Sequence, residues 1–283
     1  MKIAIIGGSG FIGLNLINKL KKKKQIHIIA TFNKNRKLKN QKNIIWKQLN
    51  LERNRTNFFK YLQNPDIVIN AAWKDLPNYE SFSNYKTLKF QKRFLKNLVE
   101  NGLQNLIILG TCFEYGLKEG QLSENLKPKP VTAYGKCKVK LYEYLKQLKR
   151  KKNFKLTWFR LFYIYGFNPH RMTLFNLIQK YKNNKLKSLK ITGNLERDYL
   201  SIEKVSKIII KLALLKKNIG LVNLCSGKSI RLKDLTKKLL NSKSKFLKLN
   251  FNSQLNKKYE SKKFWGSNKK LNKVIKLNNA TFS

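Results

Sequence analysis

Met1-Lys2-Ile3-Ala4-Ile5-Ile6-Gly7-Gly8-Ser9-Gly10-Phe11-Ile12-Gly13 is the stretch that decides how this chain reads. Met1 to Ile6 is a short apolar run of the kind that forms a parallel strand buried on both faces. Gly7 permits a tight turn out of that strand. Gly10 has no Cβ, so a pyrophosphate can come close to the backbone. Gly13 lets the next helix pack against the strand. The N–H groups at the helix start, Phe11 to Leu14, then face an anion. Ile12, Leu16, Ile17 and Leu20 keep a helical period up to the Lys21–Lys24 run. Strand, glycine turn and helix in this order predict dinucleotide binding. The glycines fit both G-x-G-x-x-G and G-x-x-G-x-x-G, so spacing alone does not choose a subfamily.

Strand-like and helix-like segments alternate beyond this opening. Ile26–Phe32, Ile44–Leu49, Asp66–Ala71, Asn105–Gly110 and Lys155–Phe162 read as strands. Helices are predicted near Arg55–Leu62 and over Lys86–Glu100 and Thr132–Lys149. This βαβα order predicts an α/β fold with a doubly wound parallel sheet, the Rossmann arrangement. After about Gly166 the pattern changes. Leu174–Lys182 and Glu203–Leu215 look helical and Leu189–Thr192 extended. Ile219–Leu224 is apolar enough to rejoin the main sheet, and Leu232–Leu240 and the tail are mixed. The expected division is a dinucleotide-binding domain over residues 1–166, with 200–224 returning to it. A smaller C-terminal α/β substrate lobe is expected from 167–199 and 225–283.

Tyr134-Gly135-Lys136-Cys137-Lys138 carries the chemistry. A tyrosine and a lysine four apart on a helix project from one face. An ammonium ~4 Å away favours phenolate by ~4 kcal/mol at an effective dielectric of about 20, or ~3 pKa units. That brings a phenol towards the neutral range an acid/base needs. Tyr142 and Lys146 repeat the spacing. Tyr134 is singled out by its place early in the helix after the fifth strand and by Thr111 at that strand's end.

Together the Gly-rich opening, Asn70-Ala71-Ala72, Thr111, Tyr115-Gly116 and Tyr134-x-x-x-Lys138 resemble the extended short-chain dehydrogenase/reductase family. Gly193–Tyr199 (GNLERDY) and Asn223–Gly227 (NLCSG) resemble that family's later motifs. A narrower resemblance, to nucleotide-sugar 4-ketoreductases of the dTDP-6-deoxy-L-talose 4-dehydrogenase type, rests on Ala72–Tyr79, Gly110–Gly116, Arg160–Gly166 and Phe264-Trp265-Gly266. The resemblance implies hydride transfer to the 4-keto group of a nucleotide-activated 6-deoxyhexose. Tyr134 would protonate the C4 alkoxide, Lys138 would lower the Tyr134 pKa and bind the nicotinamide ribose, and Thr111 would hydrogen-bond the substrate oxygen. Gly7, Gly10, Phe11, Ile12, Gly13, Asn33, Lys34, Arg36, Asn50, Leu51, Asn70, Ala71 and Ala72, with Tyr134 and Lys138, would form the cofactor site. Trp73, Glu114 and Tyr115 would face the sugar, and Arg197 the diphosphate. Glu114 reads equally as a structural cap, and Trp73 and Phe264-Trp265 as core aromatics. The family's homodimer would form through the helices near Lys86–Glu100 and Thr132–Lys149, whose lysines oppose it.

The chain departs from the family pattern after the second strand. Thr31–Arg36 (TFNKNR) offers no acidic residue for a ribose 2′-hydroxyl and supplies Lys34 and Arg36 instead, so NADP(H) is expected over NAD(H). Asn50 replaces the usual Asp near adenine. Cys112-Phe113 follows Thr111 where a dehydratase would want Asp-Glu. Two alternatives stay open: a nucleotide-sugar 4-epimerase with tightly bound NAD, and a noncatalytic, nucleic-acid-associated binder.

The bulk properties agree with an enzyme. Hydrophobic residues make up 42% of 283, enough for a sizeable core, and no apolar run is long enough for a membrane span. Three cysteines without C-x-x-C spacing suggest unpaired thiols in a reducing compartment, and two histidines are too few for a histidine-based metal site. With the first strand at Met1, no leader is expected and the location expected is cytoplasmic. The net charge of +48 taken alone predicts a polyanionic partner. Lysines spread over the whole chain, with no confined patch, read instead as a biased solvated surface that attracts nucleic acid nonspecifically. Self-repulsion of this size is screened by salt. The melting temperature is therefore expected to rise between low and physiological ionic strength, which a thermal melt at graded NaCl checks.

Overall fold

The computed structural model describes residues 1–33, 38–167, 174–182, 188–192, 195–240, 248–252, 259 and 261–277. Seven parallel strands form the central sheet: β1 (Lys2–Ile6), β2 (His27–Phe32), β3 (Ile44–Gln48), β4 (Ile67–Asn70), β5 (Asn105–Thr111), β6 (Lys155–Leu161) and β7 (Gly220–Leu224). Their order is β7-β6-β5-β4-β1-β2-β3. The register runs through β1, with Ile3 opposite both Ile28 and Ile67. The strand order reverses between β1 and β4, and a ligand crevice opens outside their C-terminal ends.

Burial of both sheet faces explains why these segments are strands. Along β1, Ile3 and Ile5 enter one core while Ala4 and Ile6 enter the other. Four main helices cover the faces: α1 (Phe11–Leu20), α2 (Ser83–Glu100), α3 (Ala133–Lys151) and α4 (Ile202–Leu214). Leu16, Ile17 and Leu20 of α1 pack in the first core with Val205, Ile209 and Ile210 of α4. Phe94, Leu95 and Leu98 of α2 share the second with Leu141 and Leu145 of α3. Each such buried side chain contributes roughly 1.5–3 kcal/mol. Thr132 caps α3 by accepting from the Gly135 N–H at 3.0 Å, and Ser201 caps α4 from Lys204.

The boundaries differ from the sequence reading where caps decide them. The helix expected near Arg55–Leu62 is one turn, Phe58–Tyr61, because Asn57 accepts from the Lys60 N–H and starts it late. Helix α2 begins at Ser83, ahead of Lys86. Leu232–Leu240, read as mixed, is a helix. Short strand pairs build the rest. Tyr163–Tyr165 lies beside Tyr199–Ser201, and Phe264–Gly266 beside Gly120–Leu122. Leu271, in the final helix Lys269–Leu277, is buried in the first core, so the C-terminal segment packs on the sheet domain. Asp198 ties these parts together by accepting from the N–H groups of Ser226, Gly227 and Gly266. No helix among the described residues is long and apolar enough to cross a membrane.

The opening glycines separate by what a side chain would meet. Gly7 has φ +78°, and a Cβ there would lie 3.0 Å from the Ala72 Cα. At Gly13 a Cβ would run into the Gly7 carbonyl oxygen and lie 2.7 Å from the Gly8 Cα. Gly10 has φ −83°, and only the Gly7 oxygen, at 3.2 Å, would touch its Cβ. Gly13→Ala is therefore expected to cost about 1–3 kcal/mol, because backbone must move. Gly10→Ala is expected to cost about 1 kcal/mol or less. Urea denaturation of both variants measures the contrast.

Candidate active site

The glycine turn and the loop after β4 form one wall of a cleft of ≈ 250 Å³. Gly7, Gly10, Asn33, Asn50, Leu51, Ala71, Ala72 and Trp73, all expected at the site, line it together. Phe11, Ile12 and Gly13 begin α1 beside it. Gly10 provides no side-chain cap, and the first turn holds no acidic residue. The first N–H groups of α1 are thus left for an anion, and the missing Cβ of Gly10 gives it room. These features fit a dinucleotide pyrophosphate. Asn70, expected in the cleft wall, is buried and acts through its amide. Its Nδ2 donates to Gln91 Oε1 at 2.7 Å, its Oδ1 accepts from the Ala72 N–H, and Gln91 Nε2 returns a bond to the Ala72 carbonyl. Lys34 and Arg36 lie outside the described residues.

The sequence reading missed Phe32, Glu52, Thr87, Phe90 and Gln91, which also line the cleft. Thr87 and Gln91 carried a signal. They are four apart and buried with Asn84 on the largely apolar inner face of α2, and buried polar groups at such spacing need partners. Glu52 lies on the exposed loop after β3, paired to Lys74 at 2.7 Å, and no local pattern marks it.

Thr111, Tyr134 and Lys138 come together at the C-terminal end of β5. Thr111 ends that strand, its hydroxyl accepts from the Phe113 N–H at 3.3 Å, and it is close enough to the Tyr134 phenol to favour its ionisation. Lys138 is 3% exposed. Its Nζ donates to the Leu109 carbonyl at 2.7 Å and sits 4.0 Å over the Trp73 ring, against 5.7 Å from the Tyr134 ring. Burial pushes the Lys138 amine down to about 7, opposed by the Glu114 carboxylate. Burial pushes the Tyr134 phenol well above its ordinary value, and the Thr111 hydroxyl only partly offsets this. The expectation that Lys138 lowers the phenol therefore does not hold in this structure. The ammonium is spent on a carbonyl and an indole face, and both groups are dry. Tyr79 packs on the Tyr134 ring with centroids 5.6 Å apart, and is itself packed by Phe113 and Tyr259.

Trp73, expected against the sugar, lies at the cleft between the two groups. Its ring meets Tyr134 edge-on at 5.6 Å and its Nε1 donates to Asn84. Glu114 and Tyr115, expected beside it, turn inward. Glu114 is 0% exposed. Its Oε1 accepts from the Thr111 N–H at 2.9 Å and from Trp158 Nε1 at 3.0 Å, and its Oε2 from Arg160 Nε at 2.7 Å. The one-turn helix Cys112–Tyr115 thereby acquires a capping box with Thr111. Gly110 makes this possible, because a Cβ there would run into Trp158 Nε1 and Glu114 Oε1. The Tyr115 hydroxyl donates to Asn223 Oδ1 at 2.7 Å, deep under β7. Arg197, expected at the diphosphate, is also 0% exposed. Its Nη1 donates to the carbonyls of Glu196 and Lys262, and its guanidinium lies 4.7 Å over Phe264. It ties the lobe together from inside. Among the described residues no cluster of His, Cys, Asp and Glu could hold a metal ion.

With the geometry in place, comparison with known proteins is informative. The model of the NAD dependent epimerase/dehydratase family matches residues 3–225. The chain is 24% identical over 208 residues to dTDP-6-deoxy-L-talose 4-dehydrogenase (NAD(+)) of Aggregatibacter actinomycetemcomitans, spanning 73% of this chain and 77% of that one. It is 28% identical over 236 residues to GDP-6-deoxy-D-talose 4-dehydrogenase of the same organism, spanning 80% and 75%. UDP-N-acetylglucosamine 4-epimerase from Methanobrevibacter ruminantium M1 shares the fold at a TM-score of 0.80 and 19% identity, over 96% and 91% of the two chains. So does UDP-glucuronic acid 4-epimerase from Bacillus cereus, solved with NAD, at 0.75 and 21%, over 95% and 90%. The expectation of NADP(H) is overturned by these findings. The talose dehydrogenase carries NAD(+) in its name and the Bacillus cereus structure holds NAD. The glycine cradle, the Thr111–Tyr134–Lys138 cluster and the match over residues 3–225 lead to one conclusion: the chain belongs to the NAD dependent epimerase/dehydratase family, the extended short-chain dehydrogenase/reductases.

Proposed function

We propose that this protein reduces the 4-keto group of a nucleotide-activated 6-deoxyhexose, with NADH as reductant. The observation that carries this reading is the meeting of Thr111, Tyr134 and Lys138 at the end of β5, beside Trp73 of the cleft wall, with the Lys138 Nζ 5.7 Å from the Tyr134 ring. The phenol carries its proton at neutral pH and can give it to an alkoxide forming at C4, while burial makes it a weaker acid than an ordinary tyrosine. Two relatives named as 6-deoxytalose 4-dehydrogenases support the substrate class. When bound, the nicotinamide supplies the hydride. Tyr134 gives its proton to the C4 oxygen, and Thr111 orients the phenol. Lys138, bonded to the Leu109 carbonyl, keeps its ammonium near the phenolate that results. Trp73 closes the space between cleft and donor.

The test follows NADH at 340 nm with dTDP- and GDP-4-keto-6-deoxyhexoses. Consumption is expected with one of them, falling by about 10²-fold or more in Tyr134→Phe. Inversion at C4 without net NADH consumption, from protein that retains NAD through purification, would assign an epimerase instead.

The Lys138 environment makes a separate prediction about stability. Its amine titrates near 10.5 when unfolded and at about 7 when folded. Between these values the unfolded chain binds more protons, so this residue's contribution to stability increases with pH. Below about 6 both states are charged and the contribution is flat. Relative to Lys138→Met, the parent is expected to gain stability from pH 7 towards 10, as denaturant midpoints of both proteins at pH 6, 8 and 9.5 would show.

A further inference from the structure

We propose that Glu114 is a positioning residue of this site, whose clamped carboxylate fixes the backbone of Thr111 and favours the proton-bearing forms of Tyr134 and Lys138. The proposal rests on the acid/base reading of Tyr134 and Lys138 given above, and it replaces a sugar-contacting role for Glu114.

The geometry comes first. Both carboxylate oxygens are occupied from the protein interior. Oε1 takes the Thr111 N–H and Trp158 Nε1, and Oε2 takes Arg160 Nε. One residue thus ties the end of β5, where the Thr111 hydroxyl meets Tyr134, to two side chains of β6. A carboxylate fixed on three sides, in a pocket cleared by Gly110, cannot swing into the cleft. It is a fixed negative charge at 0% exposure. Charges act strongly through such a dry medium.

The charges around the reacting pair settle the direction of its effect. Lys138 faces the Leu109 carbonyl from β5 and the Trp73 ring from the loop after β4. Tyr134 and Cys137 are its neighbours on its own helix. Tyr134 faces Thr111, Cys112 and Tyr79. Among the described residues Glu114 is the one carboxylate acting on both groups, and it opposes loss of the proton from each. Arg160 is paired to Glu114 and lies 4.4 Å over the Tyr115 ring. Without the carboxylate, its uncompensated charge would push in the same direction, away from a protonated pair.

The experiment reads Lys138 directly and needs no sugar. In protein labelled with ¹³Cε-lysine, exposed lysines titrate together at high pH. A resonance titrating near neutrality and lost in Lys138→Arg reports this residue. In Glu114→Gln, its midpoint is expected to fall by about 0.5–1 in pH, a ~3- to 10-fold rise in the proton-dissociation constant. The alkaline limb of NADH-dependent reduction is expected to move to lower pH with it. Glu114→Gln leaves Arg160 buried without its counter-ion, which threatens folding. The double variant Glu114→Gln/Arg160→Met removes the pair together and is expected to show a smaller shift of the same sign. An unchanged Lys138 midpoint in either folded variant would overturn the proposal and leave Glu114 a purely structural anchor, as would a parent protein with no resonance titrating near neutrality. Absence of turnover in the parent would count against the reductase reading alone, since the titration is read on protein without substrate.

Discussion

Burial of β1 on both faces is the constraint from which the rest of the molecule follows. Ile3 and Ile5 on one side and Ala4 and Ile6 on the other require helices above and below the sheet. A parallel strand so covered must send its chain out through a crossover. The first crossover leaves through Gly7, and the next strand in the other direction, β4, arrives at Asn70 beside Ile6. Their two loops then meet almost in contact, with no room for a side chain at Gly7. The dinucleotide cleft is the gap left where those loops part. The groups proposed to react lie one strand further on, at the end of β5.

A second constraint acts inside that frame. The site's polar side chains are anchored in the interior more than they are displayed to solvent. Asn70 is held by Gln91, Glu114 by Arg160 and Trp158, and Asp198 by three backbone N–H groups from two distant segments. Buried polar groups of this kind are costly unless fully paired. Their pairing fixes Ala72, Thr111 and the lobe strands relative to one another.

Much of this was legible in the sequence. The glycine spacing located the cleft, and the Tyr134–Lys138 spacing pointed to the pair proposed to react, because helix and turn periodicities are local properties. What the sequence hid depends on direction. Glu114, Tyr115 and Arg197 are polar residues in motif positions, and a motif cannot say whether a side chain points to the cleft or to the core. Each points inward and is held there by hydrogen bonds. The Tyr134 phenol went astray for a related reason. The i, i+4 spacing does bring Lys138 alongside, but the amine finds the Leu109 carbonyl and the Trp73 face. Desolvation, which no spacing reveals, then dominates both groups. Cofactor choice was misread because Lys34 and Arg36 stand in a chain where lysine is everywhere, so a basic residue there carried little information.

Gly110, Glu114 and Trp158 occupy a single volume, and this has an evolutionary consequence. Any side chain at position 110 would claim the space now filled by the carboxylate and the indole nitrogen. The three positions therefore form one heritable unit. A larger residue can enter at 110 only in a background that has already lost bulk at 114 or 158. Substitutions here should show strong sign epistasis, each harmful alone and tolerated only in combination. Lineages of this fold that differ at one of the three are expected to differ at the others as well.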